Sequence, residues 1–513
     1  MLVFFYASAA LAANPRNAAA PNEPGTAPVH VDRISFRGNR ALAVNALRAV
    51  ATPYLGHDLS PADIENLRSA LTHRYTDHGY INSSVVLDPE TPYKNGVLRF
   101  QVIEGRVREI HVHGVDGRLS TYVVDRLRGR DEEILNTDVL RARLQRLSDD
   151  PLFAHVSSSV QPGSEPGDAI LDVDVQRGRP YSVAVALNDY RPPPIGEKAY
   201  DVSGQVRDLT GFGDLIDAGL SGPIEFSGGI GYGLNWQLPF DRFGDAVSLS
   251  AARINTVFSA DASSAGEVRS TIDRQELRLI HTFAGSLREQ INVSASIADE
   301  QESTPGSIEG SARSVTARLI PEYIYRSEQQ YLNVRFTLLH ADLLDYPSGP
   351  LPNSFPERNY FVWSGQLHHL WELARSPFEL ESRAIVQRTN SQISDLHALG
   401  IGGINSVRGF REDELIAADV ENVNVDFRWH AVPADTSQRP GVTLGTFFDW
   451  AAGHDVGAPI DTFSSYGVTV RLKWPHVQGD LAYGLRLIHP SFVNAEHGSW
   501  QDHGIHVQIS TTY

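Results

Sequence analysis

The chain has 513 residues, 41% of them hydrophobic, with 44 basic against 62 acidic residues and a net charge of −18. That balance argues against a nucleic-acid partner, because phosphate binding needs clustered Lys and Arg, and the absence of cysteine excludes thiolate metal sites, cysteine nucleophiles and disulfides. The longest apolar run, Leu2 to Ala13, is shorter than the ~20 residues a spanning helix needs, so a β-barrel is the remaining way for this chain to cross a membrane.

Met1 to Ala12 reads as the apolar core of a secretory signal, with Ala10-Leu11-Ala12 as a small-x-small cleavage pattern. It lacks the basic stretch that precedes such a core, as a truncated start would. Residues 13–28, rich in Ala, Asn and Pro, read as a linker.

From Val29 to Glu104 the pattern predicts strand, helix, helix, strand, strand. His30 to Phe36 alternates, with Val31, Ile34 and Phe36 apolar, and a short helix follows around Leu42 to Tyr54. The second helix has a defined start: Ser60 as N-cap, Pro61 in the first turn and Asp63 closing a capping box. Ile64, Leu67, Leu71 and Tyr75 then share one face, and Gly79 stops the helix. Strands are expected over Ile81–Leu87 and Gly96–Ile103. The order recurs over residues 105–178, with a strand over Val107–Val112, a helix over Thr137–Leu147, and strands near Ala154–Val160 and Ile170–Val175. Two α+β units of ~75 residues therefore stand in tandem, close to the usual lower bound of domain size.

Beyond residue 178 helical periods vanish. Tyr181–Asn188, Leu332–Leu338, Tyr466–Trp474 and Leu481–Leu487 alternate strictly, one face apolar and the other carrying Gly, Thr and charge. A soluble sandwich would show the same alternation. Paired charges such as Arg471 and Lys473 suit a water-filled lumen, and Ile505, Val507, Ile509, Thr511 and Tyr513 make a final strand ending in an aromatic residue. At roughly 20 residues per strand with its connection, residues 179–513 make about 16 antiparallel strands.

Several segments together resemble the outer-membrane transporters of two-partner secretion, the haemolysin secretion/activation family. Gly79-Tyr80-Ile81, Asn95-Gly96-Val97-Leu98 and Val102-Ile103-Glu104-Gly105 are similar to that family's first POTRA domain, and Gln161-Pro162-Gly163 with Gly167 to Leu171 to its second. Asp208 to Asp214 resembles the N-x-x-G-x-G-D turn at the barrel start, with Asp in place of Asn; Leu238-Pro239-Phe240 and Gly244 also fit. Val407-Arg408-Gly409-Phe410, preceded by Gly402-Gly403, resembles the V-R-G-[FY] tetrad of the wider superfamily, carried on a loop folded back into the lumen. Phe447-Phe448-Asp449-Trp450-Ala451 resembles its F-x-D-x-G strand, with Ala451 replacing Gly.

The resemblance implies POTRA units at 29–104 and 105–178, then a transmembrane barrel at 179–513 with the tetrad on an inward loop. It implies a bacterial outer-membrane location with the POTRA units in the periplasm, a large secreted exoprotein with an N-terminal secretion domain as partner, and contact with outer-membrane lipid. A monomer without nucleic acid or cofactor is expected. Val407, Arg408, Gly409, Phe410, Phe447 and Asp449 are the expected lock of the channel loop. Arg408 offers a planar fork to a carboxylate, and Asp449 faces inward while Phe448 and Trp450 meet lipid. An extended client would pair with the edge strand Ile81–Leu87 through main-chain hydrogen bonds, with Ile81, Val85 and Leu87 as contacts. Many relatives carry a plug helix before the first POTRA; the short Ala/Asn/Pro stretch predicts none here.

Two other functions remain to be weighed. A barrel-assembly factor shares the tetrad and the fold, but two POTRA units rather than three to five favour export. A passive porin would not need POTRA units. No enzyme signature is present: no G-x-S-x-G, no H-E-x-x-H and no P-loop, and His368-His369 fall on opposite strand faces.

Overall fold

The computed structural model describes residues 27–129, 133–225, 228–241, 244–259, 267–283, 288–304, 311–345, 355–433, 440–492 and 498–513. The expected signal segment, nearly all of the expected linker, and with them the expected absence of a plug helix lie outside the described residues. The chain divides into two compact units, Met1–Arg179 and Pro180–Tyr513.

The first unit holds two modules of one topology. The first comprises β1 (Val29–Val31), β2 (Arg33–Arg37), α1 (Val44–Ala51), β3 (His57–Leu59), α2 (Pro61–Thr76), β4 (Ser84–Leu87), β5 (Tyr93–Lys94) and β6 (Val97–Ile103). Its sheet runs β2-β6-β4, with β2 parallel and β4 antiparallel to the central strand. The second comprises β7 (Arg106–His113), α3 (Gly117–Leu127), α4 (Thr137–Ser148), β8 (Phe153–Pro162) and β9 (Asp168–Arg177), with sheet order β7-β9-β8 and the same parallel and antiparallel pairings. Each sheet is covered by its helix pair, because each helix has a single apolar face to bury.

The local chemistry explains the elements. At the start of α2 the Ser60 hydroxyl accepts from the Asp63 N–H at 3.2 Å, and the Ser60 N–H donates back to the Asp63 carboxylate at 2.9 Å. Ile64, Leu67, Leu71 and Tyr75 are buried along one face, and each such side chain contributes about 1.5–3 kcal/mol. The strand expected from His30 to Phe36 breaks at Asp32. The Gly96 carbonyl takes both the Asp32 and Arg33 N–H groups, at 2.8 and 3.1 Å, so β1 pairs with β3 while β2 turns to β6. The strand expected from Ile81 begins only at Ser84. Residues 80–83 turn instead, held by the Ser83 N–H on the Tyr80 carbonyl at 3.1 Å and by the Asn82 side chain on the Gly167 carbonyl of the second module at 2.9 Å. The recurring order calls for a first helix in this module that the pattern did not place; it is α3, with Leu119, Val123 and Leu127, four apart, as its buried stripe.

In the second unit the strands are β10 (Tyr181–Asn188), β11 (Ala199–Arg207), β12 (Leu215–Pro223), β13 (Gly231–Pro239), β14 (Ala246–Ser259), β15 (Glu267–Phe283), β16 (Glu289–Ser303), β17 (Ser311–Arg326), β18 (Gln330–Leu343), β19 (Asn359–Glu372), β20 (Phe378–Thr389), β21 (Leu399–Ile401), β22 (Leu415–Ala417), β23 (Asp419–Val432), β24 (Gly441–His454), β25 (Asp461–Lys473), β26 (Val477–Ile488) and β27 (Ile505–Thr512). All but β21 and β22 form one closed barrel of antiparallel neighbours, sixteen strands in chain order. β27 closes on β10 from Ala184↔Thr512 to Asn188↔Gln508, and Tyr513 extends the seam by exchanging hydrogen bonds with Val183 at 2.8 and 3.0 Å.

The alternation runs inside out. On β23 Asn422, Asn424 and Asp426 are buried while Phe427 is 44% exposed. On β24 Asp449 is 0% exposed and Phe448 is 46% exposed. That sense belongs to a barrel in lipid with a polar interior, and it excludes the soluble sandwich. Among the described residues no helix is long and apolar enough to cross a membrane. Before β12, Asp208 takes a positive φ of 58° and Asp214 is fully buried, accepting from the Thr210 N–H at 2.9 Å and from the Trp236 indole at 3.0 Å. Asn and Asp tolerate such a φ better than other side chains, which makes Asp for Asn a mild exchange there.

Ser60→Ala should cost about 0.5–2 kcal/mol of local helix stability, read as faster hydrogen exchange in the first turn of α2. The Ser60 hydroxyl and N–H hold the Asp63 carboxyl below its ordinary pKa. The reciprocal bond is therefore fully present above the ordinary carboxylate range and fades as pH falls through the depressed value. The difference between variant and parent should shrink toward acid.

Candidate functional site: an arginine clamp in the barrel lumen

A closed sheet of sixteen strands encloses more space than wall side chains can fill. Residues 390–418, between β20 and β23, occupy part of it. They form the hairpin β21/β22, paired from Leu399↔Ala417 to Ile401↔Leu415, with the tetrad in its turn. Gly409 has a φ of +95°, in the left-handed region that favours glycine, so the turn that projects Arg408 needs a residue without Cβ there.

Arg408 is 3% exposed and is held by two carboxylates. Its Nε and Nη2 donate to Asp449 at 2.8 and 2.7 Å, and its backbone N–H donates to the same carboxylate at 3.0 Å. Its Nη1 and Nη2 donate to Asp426 at 2.7 and 3.0 Å. The guanidinium carbon lies 3.7 Å from the ring centroid of Phe447. Two forks and a ring face use the planar, delocalised character of arginine, which a lysine ammonium lacks. One cation between two anions leaves a negative excess, and Arg383 and Arg428 stand 3.9 and 4.0 Å from Asp426 to offset it. Burying such charges is costly, so every lone pair must be used. Accordingly Asp449 also accepts from Asn424 at 2.8 Å, and Asn424 reaches the Ser406 carbonyl on the loop.

The rest of the tetrad seats the loop tip. Val407 and Phe410 are fully buried with Ile401, Ala417, Ala451 and Phe463. Phe410 meets Phe463 edge to face at 5.1 Å. Ala451, where the family pattern has Gly, contributes its methyl to this cluster. Gly409 presses on the wall at Gly484, where a Cβ would stand 2.7 Å from the Arg408 carbonyl oxygen and the Gly409 nitrogen. Arg486 donates to the Gly409 carbonyl at 2.5 Å. Beside the clamp a cavity of about 360 Å3 is lined by Arg383, Arg428, Arg471 and Asp480 among others.

Val407, Arg408, Gly409, Phe410, Phe447 and Asp449 thus come together at one point of the lumen. Sequence reasoning missed Asp426, Asn424, Gly484 and Arg486. Asp426 and Asn424 stand on the polar face of Asn422-Val423-Asn424-Val425-Asp426, a visible alternation with no motif to single it out. Gly484 is noticed only once the loop lies against it. The three residues expected to meet a client do not share a surface. Ile81 is 47% exposed but lies in the turn before β4, and Val85 is fully buried in the module's core. Leu87 is half-buried at the end of the strand. β4 is an outer strand of its sheet, yet at Val85 the edge is already used: its N–H donates to Thr72 Oγ1 at 3.1 Å and its carbonyl accepts from Arg68 at 3.2 Å. Among the described residues no cluster of His, Asp and Glu could hold a metal ion.

Tandem α+β modules preceding a sixteen-stranded membrane barrel with an arginine-clamped inward loop define the POTRA-barrel class of outer-membrane transporters. The family model for the ShlB-type POTRA domain matches residues 29–105, and that for haemolysin secretion/activation proteins of the ShlB/FhaC/HecB kind matches residues 167–457, more than half of the chain. The chain belongs to the haemolysin secretion/activation protein family. It is 22% identical over 417 residues to the outer membrane transporter CdiB-2 of Burkholderia pseudomallei strain 1026b, covering 78% of this chain and 68% of that protein. To the outer membrane transporter CdiB of Dickeya dadantii strain 3937 it is 24% identical over 232 residues, 44% of this chain and 41% of the relative. The fold is similar to that of CdiB from Escherichia coli, with a TM-score of 0.77 at 16% identity over 98% of this chain and 93% of that one. The protein is an outer-membrane barrel with periplasmic POTRA modules.

Arg408→Ala should destabilise the docked loop by about 3–5 kcal/mol, because it strands two buried carboxylates. Arg408→Lys should recover little, since an ammonium cannot serve both forks. Protease protection of residues 402–414 in the folded barrel measures both.

Proposed function

We propose that the protein exports a large partner exoprotein, such as a haemolysin or adhesin, from the periplasm to the cell surface. The observation that carries this reading is the Arg408 clamp on an inward loop, within a barrel of the secretion family. The POTRA modules, residues 29–104 and 105–178, receive the partner's N-terminal secretion domain. The barrel, residues 179–513, conducts the chain in extended form. Val407, Arg408, Gly409, Phe410, Phe447 and Asp449 hold the loop in a set position and so define the conducting lumen. Energy for export comes from folding of the partner outside the cell.

Capture proceeds by addition of an extended client strand to a sheet edge. Ile81 precedes the short edge strand β4 and Leu87 ends it. The outer strand β8, ten residues long, offers an extended client more main chain than the four residues of β4. A monomer fits this reading: the sixteen strands close on themselves and leave no strand edge for a second barrel to pair with. Insertion of other outer-membrane proteins, which the same architecture can serve, has no specific observation in its favour here.

In cells producing the partner exoprotein, Arg408→Ala at normal membrane abundance should cut the secreted amount by about tenfold or more, as expected when a positioning interaction of this strength is lost. It should also alter channel conductance in planar bilayers. Unchanged secretion and conductance would remove the clamp from the mechanism. Loss of unrelated outer-membrane proteins on depletion would favour the assembly activity instead.

A further inference from the structure

The inward loop carries a second buried cluster that the Arg408 clamp does not touch. Residues 390–398 lead from β20 to the hairpin and hold His397, which is 8% exposed. Its Nε2 lies 2.8 Å from Glu300 on β16, and its Nδ1 lies 2.7 Å from the Tyr360 hydroxyl on β19. The Tyr360 oxygen accepts from the Ser394 N–H at 3.3 Å. It can therefore direct its own proton to Nδ1, leaving Nε2–H to donate to Glu300. Glu300 is balanced independently of the histidine: Arg318 on β17 stands at 2.8 Å and Arg274 on β15 at 3.3 Å. The His397 carbonyl accepts from Gln387 at 2.9 Å, and the same amide holds the Ala418 carbonyl at 3.1 Å, so both roots of the loop are tied to one side chain of β20.

The wall around this cluster is apolar on its inner face. On β18 Val334, Phe336 and Leu338 face outward, each more than a third exposed, as a lipid-facing strand requires. Further along, the inward residues Leu339, Ala341 and Leu343 are apolar and buried, and with Tyr360, Val362, Ile393 and Ala418 they form a compact core. An apolar patch facing into a polar lumen needs a cover. Residues 393–398 are that cover, and His397 is their polar fastening.

We propose that His397 is the second anchor of the inward loop: it pins the root of the loop to the β16–β19 wall, while Arg408 pins the tip to β23–β26. Glu300 on β16 and Asp449 on β24 are six strands apart in a ring of sixteen. At ~4.8 Å per strand this is ~29 Å of wall, so the loop crosses the lumen and neither anchor can substitute for the other. The docked loop that defines the conducting lumen is then held at both points. The inference deepens the export reading and takes its significance from it, but the anchoring itself is testable without any client.

The chain has no cysteine, so one introduced thiol reports alone. In full-length protein in outer-membrane vesicles, a cysteine at Ile393 reports the root and one at Ser406 reports the tip. His397→Ala and His397→Phe should raise the maleimide labelling rate at residue 393 by about tenfold or more through local opening, and leave residue 406 unchanged. His397→Gln, whose amide can both donate to Glu300 and accept from Tyr360, should bring the rate back toward that of the parent. Tyr360→Phe should give a smaller rise. Channel recordings of His397→Ala should show altered conductance, as expected for Arg408→Ala. Equal labelling of residue 393 in all variants would overturn the proposal, as would equal increases at 393 and 406, which would mean one latch rather than two. Normal anchoring data together with unimpaired secretion by Arg408→Ala would leave this inference standing and count against the export mechanism instead.

Discussion

Closing sixteen strands into one barrel creates a lumen that the wall cannot pack, and the rest of the molecule answers that constraint. The interior cannot be an apolar core, because water reaches it, and it cannot be left to water alone if passage is to be controlled. The chain fills part of it with its own loop. Arg408 makes this possible because a single guanidinium satisfies two carboxylates on neighbouring strands, Asp426 and Asp449, while stacking on Phe447. In water such an ion pair would be worth little. In the confined lumen, separating its members would strand buried charges, so the loop has one well-defined resting place.

The wall is shaped to receive that loop. Opposite the tetrad, Gly484 and Gly504 leave backbone bare, and Gly409 settles against them. Any Cβ at Gly484 would meet the loop tip. At the root of the loop the wall turns apolar on its inner face, and residues 393–398 cover it. The loop is thus held at each end by buried polar contacts beside a small apolar core, the Arg408 clamp at its tip and His397 at its root. Both fastenings are buried, so salt, which screens exposed charge, hardly reaches either.

Much of this was legible in the residues. The Ser60–Asp63 capping box, the stripe from Ile64 to Tyr75 and the strict alternation of Tyr181–Asn188 predicted the elements found there. The number of strands followed from length alone. The tetrad and the F-x-D strand were recognisable as motifs, and the geometry joins them at 2.7–3.0 Å. Other features were not legible. Asp426 is one of several polar residues alternating on β23, and only its register against Phe447 places it beside Arg408. Val85 read as an edge contact, but its side chain packs inward and its main-chain groups are taken by Thr72 and Arg68.

The sequence by itself determined the class of each segment: two α+β modules, then a long run of period-two strands, with a loop motif whose arginine needs an acidic partner. These are local properties, set by spacing, capping and side-chain type within a few residues. Tertiary structure decided between the sandwich and the barrel that the alternation by itself left open, by burying the polar faces of β23 and β24. It alone decided the second carboxylate of the clamp and the pairing of His397 with Glu300, 97 residues away. Those contacts depend on barrel register and on the path of the loop across the lumen, which no window of the sequence contains.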